Sequence, residues 1–285
     1  MNDVDLAFIG GSGLYKVPGL KRVEWKSVKT NFGLPSSEIC IGEINKKRIA
    51  FLPRHGKTHN ISPSNINYRA NIEALKIIGV ENIISLSAVG SLRNDYVPGD
   101  FVLVDQFIDK TCQRKRTFFD DDLVIHLPFS RPICSKLKNL LSDSLERLKI
   151  KFHNNGTYIC IEGPQFSTLA ESELYRSWGC DIIGMTNIPE AKLAMEAGIC
   201  YASVAMVTDY DCWHPNHEDV TIEQIVNTLN DNSGKANKLI IELSKFGKIQ
   251  CGGELKNLSR NSIITDISSI KKSTKLKLRN ILKIK

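Results

Sequence analysis

The feature that most constrains the fold is a series of uninterrupted apolar, β-branched runs that alternate with helical patterns. Clear runs lie at residues 4–9, 48–52, 82–88, 101–104, 157–161 and 199–208. Because apolar and polar residues do not alternate within them, they predict strands that are covered on both faces. Helix signals lie between the runs, among them Ser62-Pro63 and the capping boxes Thr168-Leu-Ala-Glu171 and Thr221-Ile-Glu-Gln224. This order predicts an α/β domain with helices around a mainly parallel sheet.

Length and spacing favour a single domain. The chain has 285 residues, without an internal repeat and without a linker rich in proline or serine. We therefore expect one domain over residues 1–250 and a C-terminal extension over residues 251–285. From residue 259 the chain is polar and then basic, with leucine and isoleucine interleaved, which fits either a terminal helix or a loose tail.

The net charge of +7 is concentrated at one end of the chain. Residues 271–285 hold seven basic residues and no acidic one, so residues 1–270 carry 31 basic and 31 acidic side chains. A neutral body argues against nucleic acid as a partner. For the basic end, contact with RNA or an anionic membrane is an alternative, although a solvated or subunit-packing helix is the favoured interpretation.

Other features narrow the class of protein. The first residues are acidic before a short apolar run, which does not fit a signal peptide, and the apolar runs are too short for a membrane span. The eight cysteines are scattered and form no C-x-x-C pair, so the sequence indicates neither a metal site nor a redox motif. We expect reduced thiols and a cytoplasmic protein that does not contact a membrane.

Three predicted strands end in residues that can bind an anion. Ser12 lies in a glycine-rich turn after the first run, Arg54 and His55 follow the second, and Ser87 ends the third. Arg54 offers a guanidinium fork, and His55 offers a further donor. Each motif alone is also explained by an ordinary turn or a strand-end salt bridge. Since ligands bind at the carboxyl ends of strands in α/β sheets, the convergence predicts an oxyanion site.

The strongest local motif is Thr208-Asp-Tyr-Asp-Cys-Trp213, directly after the most apolar run. If the chain is still extended there, Asp209 and Asp211 point to one side. Two nearby carboxylates in a partly dry site raise one pKa, and a carboxyl with a raised pKa can donate a proton at neutral pH. A surface turn or a magnesium site are the alternatives.

Upstream, Phe166 follows a Gly-Pro turn and could stack on a planar ligand, although a core-facing phenylalanine is the commoner case.

Six motifs occur in an order that resembles one enzyme family. They are Ile9-Gly-Gly-Ser-Gly-Leu14, Pro53-Arg-His-Gly56, Asn67-Tyr-Arg-Ala-Asn-Ile72, Ser87-Ala-Val-Gly-Ser-Leu92, Gly156-Thr157 with Ile161-Glu-Gly-Pro-Gln-Phe166, and Ala205-Met-Val-Thr-Asp-Tyr-Asp-Cys-Trp213. Over about residues 4–245, this combination is similar to the trimeric purine nucleoside phosphorylases, and among them to those that act on 5′-methylthioadenosine. The resemblance implies a single α/β domain with a mixed, partly barrel-like central β-sheet surrounded by helices.

The resemblance also implies a reaction and a set of partners. The expected reaction is phosphorolysis of 5′-methylthioadenosine to adenine and 5-methylthioribose 1-phosphate, in purine salvage and methionine recycling. Inorganic phosphate is the co-substrate, and no cofactor or metal is expected. A homotrimer is expected, because His126 matches a residue that the family lends to the nucleoside pocket of a neighbouring subunit.

The family's site residues transfer to numbered positions of this chain. Those expected around phosphate are Ser12, Arg54, His55, Ser87, Ala88 and Thr186. Those expected beside the nucleoside are His59, His126, Phe166, Ser167, Met185, Asp209, Tyr210, Asp211 and Ile222. Asp209 is the expected proton donor to the leaving base. Gly184 departs from the pattern, since the resemblance predicts asparagine there.

Two other functions remain as alternatives. A phosphorylase for 6-oxopurines, acting on purine nucleosides or methylthioinosine, shares the phosphate site. Adenine is favoured over these because its N6 amino group donates to a carboxylate, whereas a 6-oxopurine presents an acceptor. The second alternative is a nucleoside-binding or regulatory protein without turnover, which Gly184 and the unfamiliar C-terminal segment suggest weakly.

Overall fold

The computed structural model describes residues 4–11, 16–214, 222–250 and 254–282. The strands of this part are β1 (Leu6–Gly10), β2 (Lys21–Lys26), β3 (Ile39–Ile44), β4 (Lys47–Pro53), β5 (Asn82–Ser91), β6 (Phe101–Leu103), β7 (Gln106–Asp109), β8 (Phe152–His153), β9 (Thr157–Cys160), β10 (Ile182–Gly184) and β11 (Cys200–Asp209). The helices are α1 (Tyr68–Ile77), α2 (Ser135–Arg147), α3 (Leu169–Ser177), α4 (Asn187–Glu196), α5 (Ile222–Leu243), α6 (Glu254–Asn261) and α7 (Lys272–Leu278).

The strands form one mixed sheet that branches at β5. On one side, β5 pairs in parallel with β1, which pairs in parallel with β4, and antiparallel β3 and β2 complete that edge. On its other side, β5 pairs in parallel with β11, which continues through β6 to β8. The last residues of β5 also pair antiparallel with β10, which leads through β9 to β7. This branching gives the mixed, partly barrel-like sheet that the resemblance implies.

Helices cover the sheet on both faces, which is why the apolar runs do not alternate. Buried residues of α1 and α4 belong to one hydrophobic cluster, and those of α2 and α5 belong to another. Strands β1 and β11 are buried almost throughout. In the described ranges, no helix is both long enough and apolar enough to span a membrane.

Two helix predictions differ from the structure in informative ways. The segment after Ser62 is a single 3-10 turn, Pro63–Asn65, and α1 begins only after Asn67, whose side chain accepts the Ala70 N–H. The capping box at Thr168 is confirmed, since Thr168 and Glu171 exchange hydrogen bonds at the start of α3. Thr221, the first residue of the other predicted capping box, lies outside the described residues.

The C-terminal segment is docked on the rest of the molecule over residues 254–282. Ile270, Leu278, Ile281 and Leu282 are buried in the same cluster as α1 and α4. Of the two alternatives, the helix is therefore right and the loose tail is wrong for these residues. Lys283 and Lys285, at the basic end, lie outside the described residues. The domain boundary after residue 250 remains a prediction.

Candidate active site

A cavity of about 640 Å³ lies where the carboxyl ends of β1, β4, β5 and β11 meet. The four strands run parallel in the order β4, β1, β5 and β11, so their carboxyl ends lie at one edge of the sheet. Strand β10, which pairs antiparallel with β5, also contributes to the cavity wall. The predicted site residues that line it are Arg54, His55, His59, Ser87, Ala88, Phe166, Ser167, Met185, Thr186, Asp209 and Asp211. Residues more than 150 positions apart in the chain thus share one cavity, as the strand-end argument predicts.

Arg54 is buried, with 2% of its surface exposed, and its charge is already paired. Its Nε and Nη2 donate to the two carboxylate oxygens of Glu190 on α4, at 2.9 and 3.1 Å. Nη2 also donates to Ser85 Oγ, and Nη1 donates to the carbonyl of Leu86. Within the described part of the chain, these contacts leave one Nη1 N–H for a ligand. The guanidinium is therefore a rigid, neutralised donor rather than a free positive charge.

The hydrogen bonding of His55 determines which of its nitrogens can meet a ligand. Its Nδ1 lies 2.9 Å from the carbonyl of Ile61, and since a carbonyl only accepts, Nδ1 carries the proton. Burial, and then the charge of Arg54, lower the pKa of His55 to about 4. The ring is therefore neutral at pH 7 and its Nε2 is an acceptor. The predicted role of His55 as a second donor is wrong in this tautomer.

The other residues predicted to bind the anion lie at the same end of the cavity, except Ser12. Ser87 on β5 is buried, and its Oγ has no hydrogen-bond partner among the described residues. Thr186, also buried, stands at the junction of β10 and α4. Ala88 and Gly11 complete this end of the cavity, whereas Ser12 lies outside the described residues.

Asp209 and Asp211 do converge on the cavity, but not because the chain is extended. Strand β11 ends at Asp209, and Asp211 has φ +53°, so a turn brings the second carboxylate back. Both side chains pack against Gly90, where an ideal Cβ would lie 2.9 Å from Asp209 Oδ1 and 3.3 Å from Asp211 Cβ. Glycine is required there because any larger residue would push the pair apart.

Both carboxyl groups have raised pKa values. Burial raises the pKa of Asp209, although hydrogen bonds from the Thr208 hydroxyl at 2.7 Å and the Asp211 N–H at 2.8 Å oppose it. Burial also raises the pKa of Asp211, and the nearby charge of Asp209 adds to it. The nearby Ser172 hydroxyl, on α3, partly offsets this rise in the pKa of Asp211. This environment excludes a surface turn, and it keeps both carboxyl groups protonated to a higher pH than an exposed aspartate.

Part of the cavity wall is apolar. Phe166 is 59% exposed at the rim of the cavity, so the core-facing interpretation is wrong. Ser167 is beside it, and Met185 packs under the turn that precedes Phe166. An ideal Cβ at Gly163 (φ +68°) would overlap Met185 Sδ, which explains the glycine in this turn. The cavity thus combines a polar end, a pair of carboxyl groups and an apolar wall.

The other residues predicted beside the nucleoside lie in different places. His59 lines the cavity and stacks on His55 with 4.4 Å between the ring centres. Tyr210 does not line the cavity and packs instead beside Trp213 and His214. His126 is exposed and not among the lining residues, and its backbone N–H donates to Ser262 in the C-terminal segment. The side chain of Ile222 lies outside the described residues.

A second buried arginine, Arg114, was not predicted from the sequence, and it links loops that contribute to the cavity wall. Its guanidinium donates to the carbonyls of Met185 and Ile188, at 2.7 and 2.6 Å, and to the carbonyl and carboxylate of Glu162, at 2.9 and 3.0 Å. Glu162 in turn accepts the N–H groups of Cys112 and Gln113. Burial raises the pKa of Glu162, but these hydrogen bonds outweigh burial and hold it at about 2. Arg114 has no sequence signal, because its partners become neighbours only in the fold.

Comparison with known proteins identifies the family. Residues 5–245 match the model of the phosphorylase superfamily. This chain belongs to the phosphorylase superfamily. The match starts just before β1 and ends just after α5, so it includes every described element that forms the cavity.

Several similar proteins are methylthioadenosine phosphorylases. An S-methyl-5′-thioadenosine phosphorylase of Cereibacter sphaeroides is 52% identical over 238 residues, which cover 84% of this chain and 82% of the relative. A protein of the same name from Koribacter versatilis is 46% identical over 282 residues, covering 98% of this chain and 95% of the relative. The crystal structure of a methylthioadenosine phosphorylase from an antarctic soil metagenomic library superposes with a TM-score of 0.94 at 43% identity, over 99% of this chain and 100% of that one. This chain thus shares the fold of that crystal structure.

Proposed function

We propose that this chain is an S-methyl-5′-thioadenosine phosphorylase, a pentosyltransferase that converts its nucleoside and phosphate into adenine and 5-methylthioribose 1-phosphate. The observation that carries the proposal is the pair Asp209 and Asp211, buried in the same cavity as Arg54, His55 and Ser87. The names of the relatives support the same activity. No cofactor enters the proposed reaction, and phosphate is the co-substrate.

The polar end of the cavity is suited to hydrogenphosphate. One N–H of Arg54, the Ser87 hydroxyl and the Thr186 hydroxyl are donors for its oxygens, and the unprotonated Nε2 of His55 accepts from its single P–OH group. Because the charge of Arg54 is balanced by Glu190, the phosphate keeps its own negative charge in the site. That charge stabilises the oxocarbenium-like ribose as the bond from C1′ to N9 breaks.

The other end of the cavity receives the base. As the C1′–N9 bond breaks, its electron pair moves to the adenine, and the proton of Asp209 goes to N7 and neutralises it. A phosphate oxygen then forms the new bond to C1′. Asp211 accepts from the N6 amino group, which a 6-oxopurine lacks. Met185 and Phe166 pack on the ribose and the base, and water is thereby kept from C1′.

The first experiment is an assay of adenine release with and without phosphate. We expect release only with phosphate, and a higher kcat/KM for 5′-methylthioadenosine than for methylthioinosine or inosine. A preference for the 6-oxopurine would favour the alternative phosphorylase, and tight nucleoside binding without turnover would favour a binding protein.

Substitution of Asp209 tests the proton donor. Asp209→Asn should lower kcat on the adenine substrate by about 100-fold or more, the range of general acid catalysis. Asp143→Asn, on an exposed position of α2, is the matched control and should leave kcat unchanged. Equal kinetics of the two variants would contradict the role of Asp209.

We also propose a cytoplasmic homotrimer without nucleic-acid partners. His126 is outside the cavity of its own subunit, which supports its proposed place at the nucleoside site of another copy. The seven described cysteines form no disulfide with one another, as is usual in a reducing compartment. Light scattering should give about three times the chain mass of 31.9 kDa, and a monomeric mass would contradict the trimer.

A further inference from the structure

Gly184 stands where the family resemblance predicts asparagine, and the structure places the Tyr158 side chain beside it. Gly184 ends β10 and is part of the cavity wall. An ideal Cβ on Gly184 would overlap the Tyr158 Oη and would lie 2.7 Å from Tyr158 Cζ and 3.2 Å from Val89 Cγ1. Residue 184 therefore has no room for a side chain, because the end of the Tyr158 ring occupies that space.

The Tyr158 hydroxyl also contacts the backbone of Thr186. Tyr158 is completely buried on β9, two residues before Cys160, which pairs with Gly184 of β10. From there its side chain reaches the end of β10, where Oη accepts the backbone N–H of Thr186 at 3.4 Å. The N–H of Thr186 is buried and has no helical partner, since Thr186 is the N-cap of α4.

We propose that Tyr158 is a positioning residue for the phosphate end of the cavity. Its hydroxyl, in the space that Gly184 leaves open, holds the backbone of Thr186 and thereby directs the Thr186 side chain toward phosphate. The inference rests on the proposed role of Thr186 in binding phosphate, and adds the residue that keeps it in place. Tyr158 and Gly184 form an interlocked pair, in which a change at either position disturbs the same segment.

Tyr158→Phe tests the role of the hydroxyl separately from that of the ring. The ring packs in the core and lies edge-on to Phe107, with 5.8 Å between ring centres, and phenylalanine preserves this packing. We expect the KM for phosphate to rise about three- to tenfold, the effect of one lost hydrogen bond. The KM for the nucleoside should change by less than about twofold.

Tyr96→Phe is the matched control. Tyr96 is also buried and its hydroxyl donates to the carbonyl of Asn155 at 2.8 Å, but it does not line the cavity. It should leave both KM values unchanged, even where the melting temperature falls. If Tyr158→Phe lowers the melting temperature without raising the KM for phosphate, or raises both KM values equally, the positioning role is overturned.

A double substitution tests the interlock. Gly184→Ala alone should lower kcat/KM by about tenfold or more, or prevent folding, because its Cβ meets the Tyr158 hydroxyl. The same substitution in a Tyr158→Phe background should cost less, since the contact with Oη is gone and only the contact with Cζ at 2.7 Å remains. Equal losses in the two backgrounds would overturn the interlock.

The assay of the wild-type protein separates a failure of this inference from a failure of the proposed function. Its phosphate-dependent release of adenine tests the function alone. An active wild type with an unaltered Tyr158→Phe variant overturns only the positioning role, whereas an inactive wild type overturns both.

Discussion

At the scale of single residues, the tautomer of His55 determines which anion would fit the proposed phosphate site. Because Nδ1–H is committed to Ile61, Nε2 is left as an acceptor for a ligand. A hydrogenphosphate ion has one P–OH to donate, whereas a sulfate dianion has none. His55 therefore provides a physical basis for preferring hydrogenphosphate over an anion of the same charge and size.

The lowered pKa of His55 predicts how stability depends on pH. The folded protein keeps His55 neutral down to about pH 4, whereas the unfolded chain protonates it near its ordinary value of 6.5. The unfolded state thus binds the extra proton between these values, so stability is lost as the pH falls from about 6.5 to 4. His55→Asn retains a donor for Ile61 but does not titrate.

The measurement is urea unfolding of wild type and His55→Asn at pH 7, 5.5 and 4. As the pH falls from 7 to 4, the free energy of unfolding of the wild type should fall by about 1–3 kcal/mol more than that of His55→Asn. A difference that stays constant with pH would contradict the buried, neutral histidine.

Most residues that line the cavity could be predicted from the sequence, but their partners could not. Arg54 follows a strand, and its place at the cavity was predicted from that position. Glu190, which neutralises it, is 136 positions away and stands at a helix start like many other glutamates. A lone sequence shows which side chains stand at strand ends, and not which distant carboxylate pairs with them.

At the scale of elements, buried runs were predictable and exposed or short strands were not. Strand β2 is almost entirely exposed, and β8 has two residues, so neither carries an apolar run. Strand β3 is buried but contains Gly42, where an ideal Cβ would lie 2.6 Å from Leu20 Cγ. The close approach of Leu20 explains a glycine that weakens the strand pattern in the sequence. The turn at Asp211 was also missed, because nothing in the motif marks the end of β11 at Asp209.

Arg114 joins the elements around the cavity, and its replacement should affect the site as a unit. Arg114→Lys keeps the charge, but an ammonium group cannot span the carbonyls of Met185, Ile188 and Glu162 at once. We expect kcat/KM for the nucleoside to fall by about five- to 100-fold, equivalent to about 1–3 kcal/mol for buried polar groups left without partners. Steady-state kinetics with varied nucleoside and saturating phosphate measures it.

Arg116→Lys provides the control for that substitution. Arg116 is on the same loop but exposed, and it faces Asp109 at 3.9 Å. Its replacement should change kcat/KM by less than about twofold, as exposed ion pairs contribute little. If both lysine variants behave alike, Arg114 does not organise the cavity.

At the scale of the whole molecule, the basic C-terminal segment is part of the folded body. Lys277 pairs with Asp121 at 2.6 Å, Lys256 pairs with Glu81 at 2.8 Å, and Asn280 donates to Glu73 on α1. Charges that look like a separate patch in the sequence are partly balanced by acidic groups of the body. Packing against α1 and α4 thus explains the interleaved leucine and isoleucine residues better than a polyanionic partner does.

The two leucines of α7 allow this docking to be tested within one helix. Leu278 is 1% exposed and packs in the core, whereas Leu276 is 58% exposed. Leu278→Ala should lower the free energy of unfolding by about 2–4 kcal/mol, because it leaves a cavity in a packed interior. Leu276→Ala has the same effect on helix propensity but should change stability by less than about 0.5 kcal/mol. Urea unfolding of both variants measures the difference, and equal stabilities would mean that α7 does not pack on the body in solution.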